Sequence, residues 1–220
     1  PVNALKNSGV VTYDVFEVGS DGEIDIEKFQ SLIKSNTKLV IGNHASNVIG
    51  VISSVLMVAE ICRQHGILFL LDCTQSLGYA PINVEKMPID FLAGTGHKTL
   101  MGPSGIGFLY IKNPKVLDSF MQGGSSGNHS ASPFHPLQMP HKFEAGTPNT
   151  TCIAGLKGGL DYIQKNTFES LSKYTMQLIN YAWKGLCEID EVVLYGTNNL
   201  QRKIPIISFN LSHVLPSGAA

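Results

Sequence analysis

The residues best suited to chemistry stand at the polar ends of two apolar runs. Ile67-Leu68-Phe69-Leu70-Leu71 closes on Asp72, with Gln75 shortly after, and the run Ile89 to Ala93 opens into Gly94-Thr95-Gly96-His97-Lys98. A lysine among small residues can attack an aldehyde once burial lowers its pKa. An acid at a strand end can hold a ring nitrogen protonated, which makes the ring an electron sink. Thr95, Gly96 and His97 offer hydroxyl, backbone amide and imidazole donors of the kind that grip a phosphate, and the Gln75 amide can donate to a phenolic oxygen. Each residue also has a plain alternative: a solvated lysine, a turn-capping aspartate, a loop amide, a tight turn at the glycines.

Two further polar groups share that ambiguity. His44, Ser46 and Asn47 follow an apolar run, where capping by Ser46 or Asn47 competes with ligand binding. Gly146-Thr147-Pro148-Asn149 poses the same choice. Cys73 adjoins Asp72, but side-chain alternation along an extended segment turns it away from the acid, which suits a small buried hydrophobe.

The elements that must position these groups are legible from periodicity. A strand over Val10 to Val15 is expected, then a helix capped by Asp25 with Ile26, Phe29, Leu32 and Ile33 on one face. A strand from Lys38 to Asn43 leads to a helix carrying Val55, Val58, Ala59 and Cys62, stopped by Gly66. The run ending at Asp72 reads as a strand buried on both faces, as in parallel sheets, whose ligands gather at the carboxyl ends of the strands. Strand, helix, strand alternation therefore predicts an α/β fold, a mainly parallel sheet flanked by helices. Gly102-Pro103-Ser104-Gly105 is too short a connection for a parallel crossover, so Ile106 to Ile111 is expected to run antiparallel. Gly123 to Pro140, rich in Gly, Ser, His and Pro, reads as a long loop or flap and as the segment most prone to disorder. Helical periodicity returns at Ile153 to Gln164 and Phe168 to Leu186, and strand-like runs at Val192 to Tyr195 and Ile204 to Asn210 follow.

Composition narrows the function classes. The 220 residues are 43% hydrophobic and 15% charged, with a formal net charge of -1, which removes the electrostatic case for a nucleic-acid partner. Cys62, Cys73, Cys152 and Cys187 lack metal-ligand spacing, so no metal is expected, and with no leader in view they suggest a reducing cytoplasm. Val48 to Ala59, the most apolar stretch, is too short to span a bilayer. A chain beginning with Pro1 is expected to be a fragment or processed product.

Taken in order, five motifs resemble the class V aminotransferase family, pyridoxal phosphate enzymes of fold type I. They are His44-Ala45-Ser46-Asn47-Val48-Ile49-Gly50, Asp72-Cys73-Thr74-Gln75, Thr95-Gly96-His97-Lys98, Gly102-Pro103-Ser104-Gly105-Ile106-Gly107 and Phe143-Glu144-Ala145-Gly146-Thr147-Pro148-Asn149. Within the family the likeness is greatest to the cysteine desulfurases, and it runs through about Ile163 and more weakly to Asn210. It implies a cofactor-binding large domain over residues 1–165 and the beginning of a smaller α+β domain over 166–220. It implies Lys98 as the residue forming a Schiff base with pyridoxal 5'-phosphate and later moving the substrate's α-proton. Asp72 is the implied pyridinium partner, Gln75 the phenolate contact, and Thr95 and His97 the phosphate contacts. Asn47 would lie near the phenolate or the substrate carboxylate. Thr147 matches a residue that reaches the neighbouring subunit's phosphate, so a homodimer is implied.

The implied reaction takes sulfur from L-cysteine, giving alanine and an enzyme persulfide whose sulfur passes to an acceptor protein. Family members also carry an upstream phosphate turn with a ring-stacking histidine, and downstream a persulfide-forming cysteine and a carboxylate-binding arginine. This chain is expected to start after the first and stop before the second, with Cys152 and Cys187 in neither place. Alone it is expected to bind the cofactor weakly and turn over little. The alternatives are another class V member, such as a transaminase or selenocysteine lyase, and a non-catalytic fold fragment.

Overall fold

In the computed structural model, residues 2–124 and 134–214 are described. A four-stranded sheet holds β1 (Leu39–Asn43), β2 (Leu68–Asp72), β3 (Phe91–Thr95) and β4 (Gly107–Ile111) in that spatial order. The first three strands are parallel and β4 is antiparallel to β3, so the expected reversed strand is present. The α-helices of the described residues are α1 (Val2–Asn7), α2 (Ile26–Ser31), α3 (Val55–Gln64), α4 (Thr150–Asn166) and α5 (Phe168–Cys187). An antiparallel pair, β5 (Val192–Tyr195) and β6 (Ser208–Leu211), forms a second sheet.

The β1-α3-β2 unit shows how sequence sets this geometry. Val55, Val58, Ala59 and Cys62 recur at helical spacing and are buried against the sheet, whose facing residues Val40, Phe69 and Leu71 are also buried. The helix ends on a left-handed Gly66, φ +66°, with the Ile67 amide donating to the Cys62 carbonyl at 2.9 Å and the Gly66 amide to Arg63 at 3.3 Å. Those two bonds satisfy carbonyls the helix end would otherwise leave open and aim the chain directly into β2. Gly42 on β1 leaves room for the Phe69 ring, whose Cζ would lie 2.8 Å from an added Cβ.

Several expectations need correction. Val10 to Val15 forms no strand, because among the described residues no strand lies beside it; Val10 and Val15 are 69% and 70% exposed. The segment is instead tied to the unforeseen α1, through the Tyr13 hydroxyl donating to Asn3 and Lys6 resting over the Tyr13 ring. Asp25 does cap α2, accepting from the Lys28 amide at 2.9 Å, but the helix stops at Ser31 and leaves Leu32 and Ile33 beyond it. On β2, Phe69 and Leu71 are buried while Leu68 and Leu70 are only half-buried, so the strand is not enclosed equally on both faces. The connection from β2 to β3 contains turns rather than a helix. β6 starts at Ser208 rather than Ile204, since Lys203 and its neighbours pair with the loop after β1. Of the expected loop Gly123 to Pro140, residues 125–133 lie outside the described residues, as do 215–220 at the end of the chain.

Candidate functional site

The carboxyl ends of the three parallel strands converge on one edge of the sheet. Asn43, Asp72 and Ala93 are in register across β1, β2 and β3, and every chemistry-bearing loop singled out before residue 100 departs from that edge. Asp72 is half-buried, and its Oδ1 accepts from the Thr74 amide at 2.9 Å. Gln75 follows in a turn closed by the Ser76 and Leu77 amides, both donating to the Cys73 carbonyl at 3.0 Å. Cys73 points away from the acid and is fully buried; burial pushes its thiol up to about 12, with the Asp72 charge adding to the effect.

After β1 the chain closes into a tight loop. The His44 amide donates to the Asp72 carbonyl at 2.9 Å and ties this loop to the end of β2. Ser46 plays the capping role: its Oγ accepts from the Val48 and Ile49 amides, each at 3.2 Å. Asn47 stands exposed at the tip. Behind it, the buried His44 ring pairs Nδ1 with Ser76 Oγ at 2.8 Å, and burial lowers the His44 pKa. This pair joins the turns that carry Asn47 and Gln75. Sequence reasoning singled out His44 but missed Ser76, whose only visible signal was a small polar residue beside Gln75.

β3 delivers the remaining groups. Thr95 pairs with Gly107 in the ladder, and Gly96 fits because an added Cβ would lie 2.5 Å from Ile106 Cγ2 and 3.3 Å from Leu156 Cδ1. The Gly96 amide, expected to grip an anion, donates to the Ile106 carbonyl at 2.9 Å. Gly96 therefore contributes space rather than a donor. His97 and Lys98 are both exposed, so the burial expected to activate Lys98 is not supplied by the described residues. The lysine loop is shaped from within by the Met101 amide donating to Lys98 at 3.0 Å and the Gly102 amide to Gly96 at 2.8 Å. From outside it is packed by α4, where an added Cβ on Gly155 would lie 2.9 Å from the Pro103 ring.

Thr147 is exposed just before α4. Its neighbour Asn149 caps α4, accepting from the Cys152 amide at 3.2 Å, and the Cys152 thiol donates to the Ser104 carbonyl at 3.4 Å. The N-terminal turn of α4 thus lies along the glycine turn that follows Lys98. The fold groups Asn47, Asp72, Gln75, Thr95, Gly96, His97 and Lys98 at the ends of neighbouring strands, while Thr147 precedes α4.

The donor set suits pyridoxal phosphate in one specific respect. Thr95 Oγ1 is buried and has no hydrogen-bond partner among the described residues, a costly arrangement unless a ligand completes it. Thr95→Val is therefore expected to raise the stability of the cofactor-free chain by about 1 kcal/mol. The same change is expected to weaken pyridoxal phosphate binding about tenfold through the lost donor. Urea unfolding and a cofactor titration of the same preparations check both signs. A valine variant that binds as tightly as the parent removes Thr95 from the site.

Among the described residues no helix is long and apolar enough to cross a membrane, and no cluster of His, Cys, Asp or Glu could hold a metal ion.

The family model for aminotransferase class-V matches residues 1–219. A probable cysteine desulfurase of Pyrococcus abyssi is 35% identical over 224 residues, covering 100% of this chain and 55% of that protein. A cysteine desulfurase of Escherichia coli is 33% identical over 201 residues, covering 90% of this chain and 48% of its own length. Among solved structures, the apo cysteine desulfurase of Thermococcus onnurineus NA1 aligns with a TM-score of 0.89 at 33% identity, over 100% of this chain and 55% of that one. The chain thus spans about half the length of the curated relatives it matches.

Proposed function

The chain belongs to the class V aminotransferase family, and from that premise we propose that it forms the cofactor-holding core of a pyridoxal phosphate-dependent cysteine desulfurase. The observation carrying this reading is the register that sets Asp72 beside Ala93, so that the acid and the Thr95 to Lys98 loop leave adjacent parallel strands at the same edge. Ligands of open α/β sheets gather at such an edge. The cysteine desulfurase relatives, similar over the whole of this chain, support the choice of reaction. Residues 1–165 would form the large domain and 166–220 the start of the small one.

When bound, pyridoxal phosphate supplies an aldehyde that condenses with amines and a ring that accepts the electron pair left on Cα as its proton departs. Lys98 Nζ would hold the aldehyde carbon and then carry the Cα proton between positions. The Asp72 carboxylate would keep the ring nitrogen protonated; Oδ1 is already fixed by the Thr74 amide, which leaves Oδ2 as acceptor. The Gln75 amide would donate to the phenolic oxygen, and Asn47 would lie near that oxygen or the substrate carboxylate. The Thr95 hydroxyl and the His97 imidazole would hold the phosphate. Thr147, exposed beside the α4 cap, would reach the phosphate of a second subunit in a homodimer.

The chain's own buried thiols are unsuited to receiving the substrate sulfur. Burial pushes Cys62 up to about 11, assisted by the Asp90 charge, and Cys73 up to about 12, so neither is a thiolate near neutral pH. The sulfur would pass to another thiolate, then to an acceptor protein, in the cytoplasm.

The test supplies pyridoxal phosphate and L-cysteine to a full-length protein carrying this sequence and measures products in the presence of a reducing thiol. Alanine and sulfide in equal amounts are expected. A 2-oxo acid product would point to a transaminase, and release confined to L-selenocysteine to a selenocysteine lyase.

A further inference from the structure

A lysine far from the proposed cofactor contacts holds the turn that carries one of them. Lys203 is only 2% exposed, yet no carboxylate pairs with it among the described residues. Its Nζ donates to the Ile49 carbonyl at 2.8 Å and to the Tyr195 carbonyl at 3.5 Å, and lies over the Trp183 ring, 4.6 Å from its centroid. Gly196, φ +91°, makes room for it: an added Cβ there would lie 3.0 Å from both Lys203 Nζ and the Ile49 oxygen. Burial lowers the lysine's pKa, as desolvation of an ammonium must.

Lys203 is one of three grips on the same turn. The three carbonyls that follow Asn47 all accept from the segment 203–208: Val48 from Ser208 Oγ, Ile49 from Lys203 Nζ, and Gly50 from the Ile204 amide at 2.8 Å. Lys203 also bridges Val51 in antiparallel fashion, and the Ile52 amide donates to the Arg202 carbonyl at 2.8 Å. The Ser46 hydroxyl fixes the turn from inside; the late segment fixes it from outside.

We propose that Lys203 is a positioning residue for Asn47, its buried ammonium anchoring the Asn47 turn to Trp183 of α5 and to the end of β5. The proposal rests on the cofactor reading for the role given to Asn47, but the anchoring itself does not. A charged donor is needed because an ammonium can bond two carbonyls and rest on an aromatic face together. Removing it takes a charged donor from the Ile49 carbonyl of a half-buried residue, a loss large enough to open the turn about tenfold more often.

Two measurements on a full-length protein carrying this sequence and its K203M variant separate the possibilities. Amide hydrogen exchange is expected to accelerate about tenfold in the peptide spanning residues 46–52 and to stay unchanged in the peptide spanning 67–73. Pyridoxal phosphate affinity is expected to fall about tenfold in K203M and to be unaffected by the same substitution made in an N47A background. Unchanged exchange at 46–52, or an equal affinity loss in both backgrounds, overturns the proposal. If a full-length protein carrying this sequence takes up no pyridoxal phosphate, the cofactor reading fails and the exchange result alone judges Lys203. Should K203M unfold outright, K203R takes its place; it keeps a charged donor over Trp183 and is expected to retain slow exchange at 46–52, and fast exchange confined to that peptide sinks the idea.

Discussion

Gly158→Ala and Gly159→Ala, adjacent substitutions on α4, are expected to move stability in opposite directions. Helix propensity alone favours alanine over glycine by about 1 kcal/mol at either site. At Gly158 nothing lies within 4 Å of an added Cβ, so that gain should appear in full. At Gly159, which is buried, the same atom would sit on the Leu100 carbonyl oxygen and within 3.0 Å of the Met101 carbonyl. Backbone cannot rotate aside as a side chain can, and Met101 already holds φ +58°, a left-handed conformation that a residue with a Cβ tolerates poorly. Overpacking of this kind costs about 3 kcal/mol, which outweighs the propensity term. Because Leu100 and Met101 close the loop begun by Lys98, Gly159→Ala should also weaken cofactor uptake. Denaturant midpoints of the two variants decide the matter: a stabilised Gly159→Ala would mean that α4 does not pack on the lysine loop.

Asp72→Ala is expected to leave some cofactor binding while abolishing most of the chemistry. The other proposed contacts, from Gln75, Thr95, His97 and Lys98, remain in place, so uptake should weaken rather than vanish. In the role proposed for it, the carboxylate would hold the ring nitrogen protonated, so its loss would remove the stabilisation of the charge developing at Cα. Loss of a group aimed at developing charge lowers rates by about 10²- to 10³-fold. Solvent exchange of the substrate α-proton, followed by NMR in a full-length protein carrying this sequence, reads that step directly. Unchanged exchange would refute the role of Asp72, whatever happens to binding.

The parts of the fold legible in the sequence are those whose signals are local. The helix period of Val55, Val58, Ala59 and Cys62 with Gly66 at its end, and the apolar run closed by Asp72, each carry their partners within a few residues. Val10 to Val15 has the composition of a strand, but composition cannot say whether a neighbouring strand exists to pair with it. The exposure of Lys98 was likewise hidden, since burial depends on what packs over a loop rather than on the loop's own residues. The Gly96 amide looks free for a ligand in the sequence, which does not reveal that the Ile106 carbonyl turns back to accept from it. The grip of residues 203–208 on the Asn47 turn joins positions more than 150 residues apart, and an isolated lysine before Ile204 gives no local hint of it.

In the proposed function Lys98 is the amine that captures pyridoxal phosphate. Incubating a full-length protein carrying this sequence with pyridoxal phosphate, reducing with borohydride and mapping the peptides by mass locates the lysine that becomes covalently labelled. The expected result is a phosphopyridoxyl group on Lys98 at stoichiometric cofactor, and loss of that labelling in Lys98→Ala. Label spread over other lysines, with Lys98→Ala taking up as much as the parent, would contradict the account.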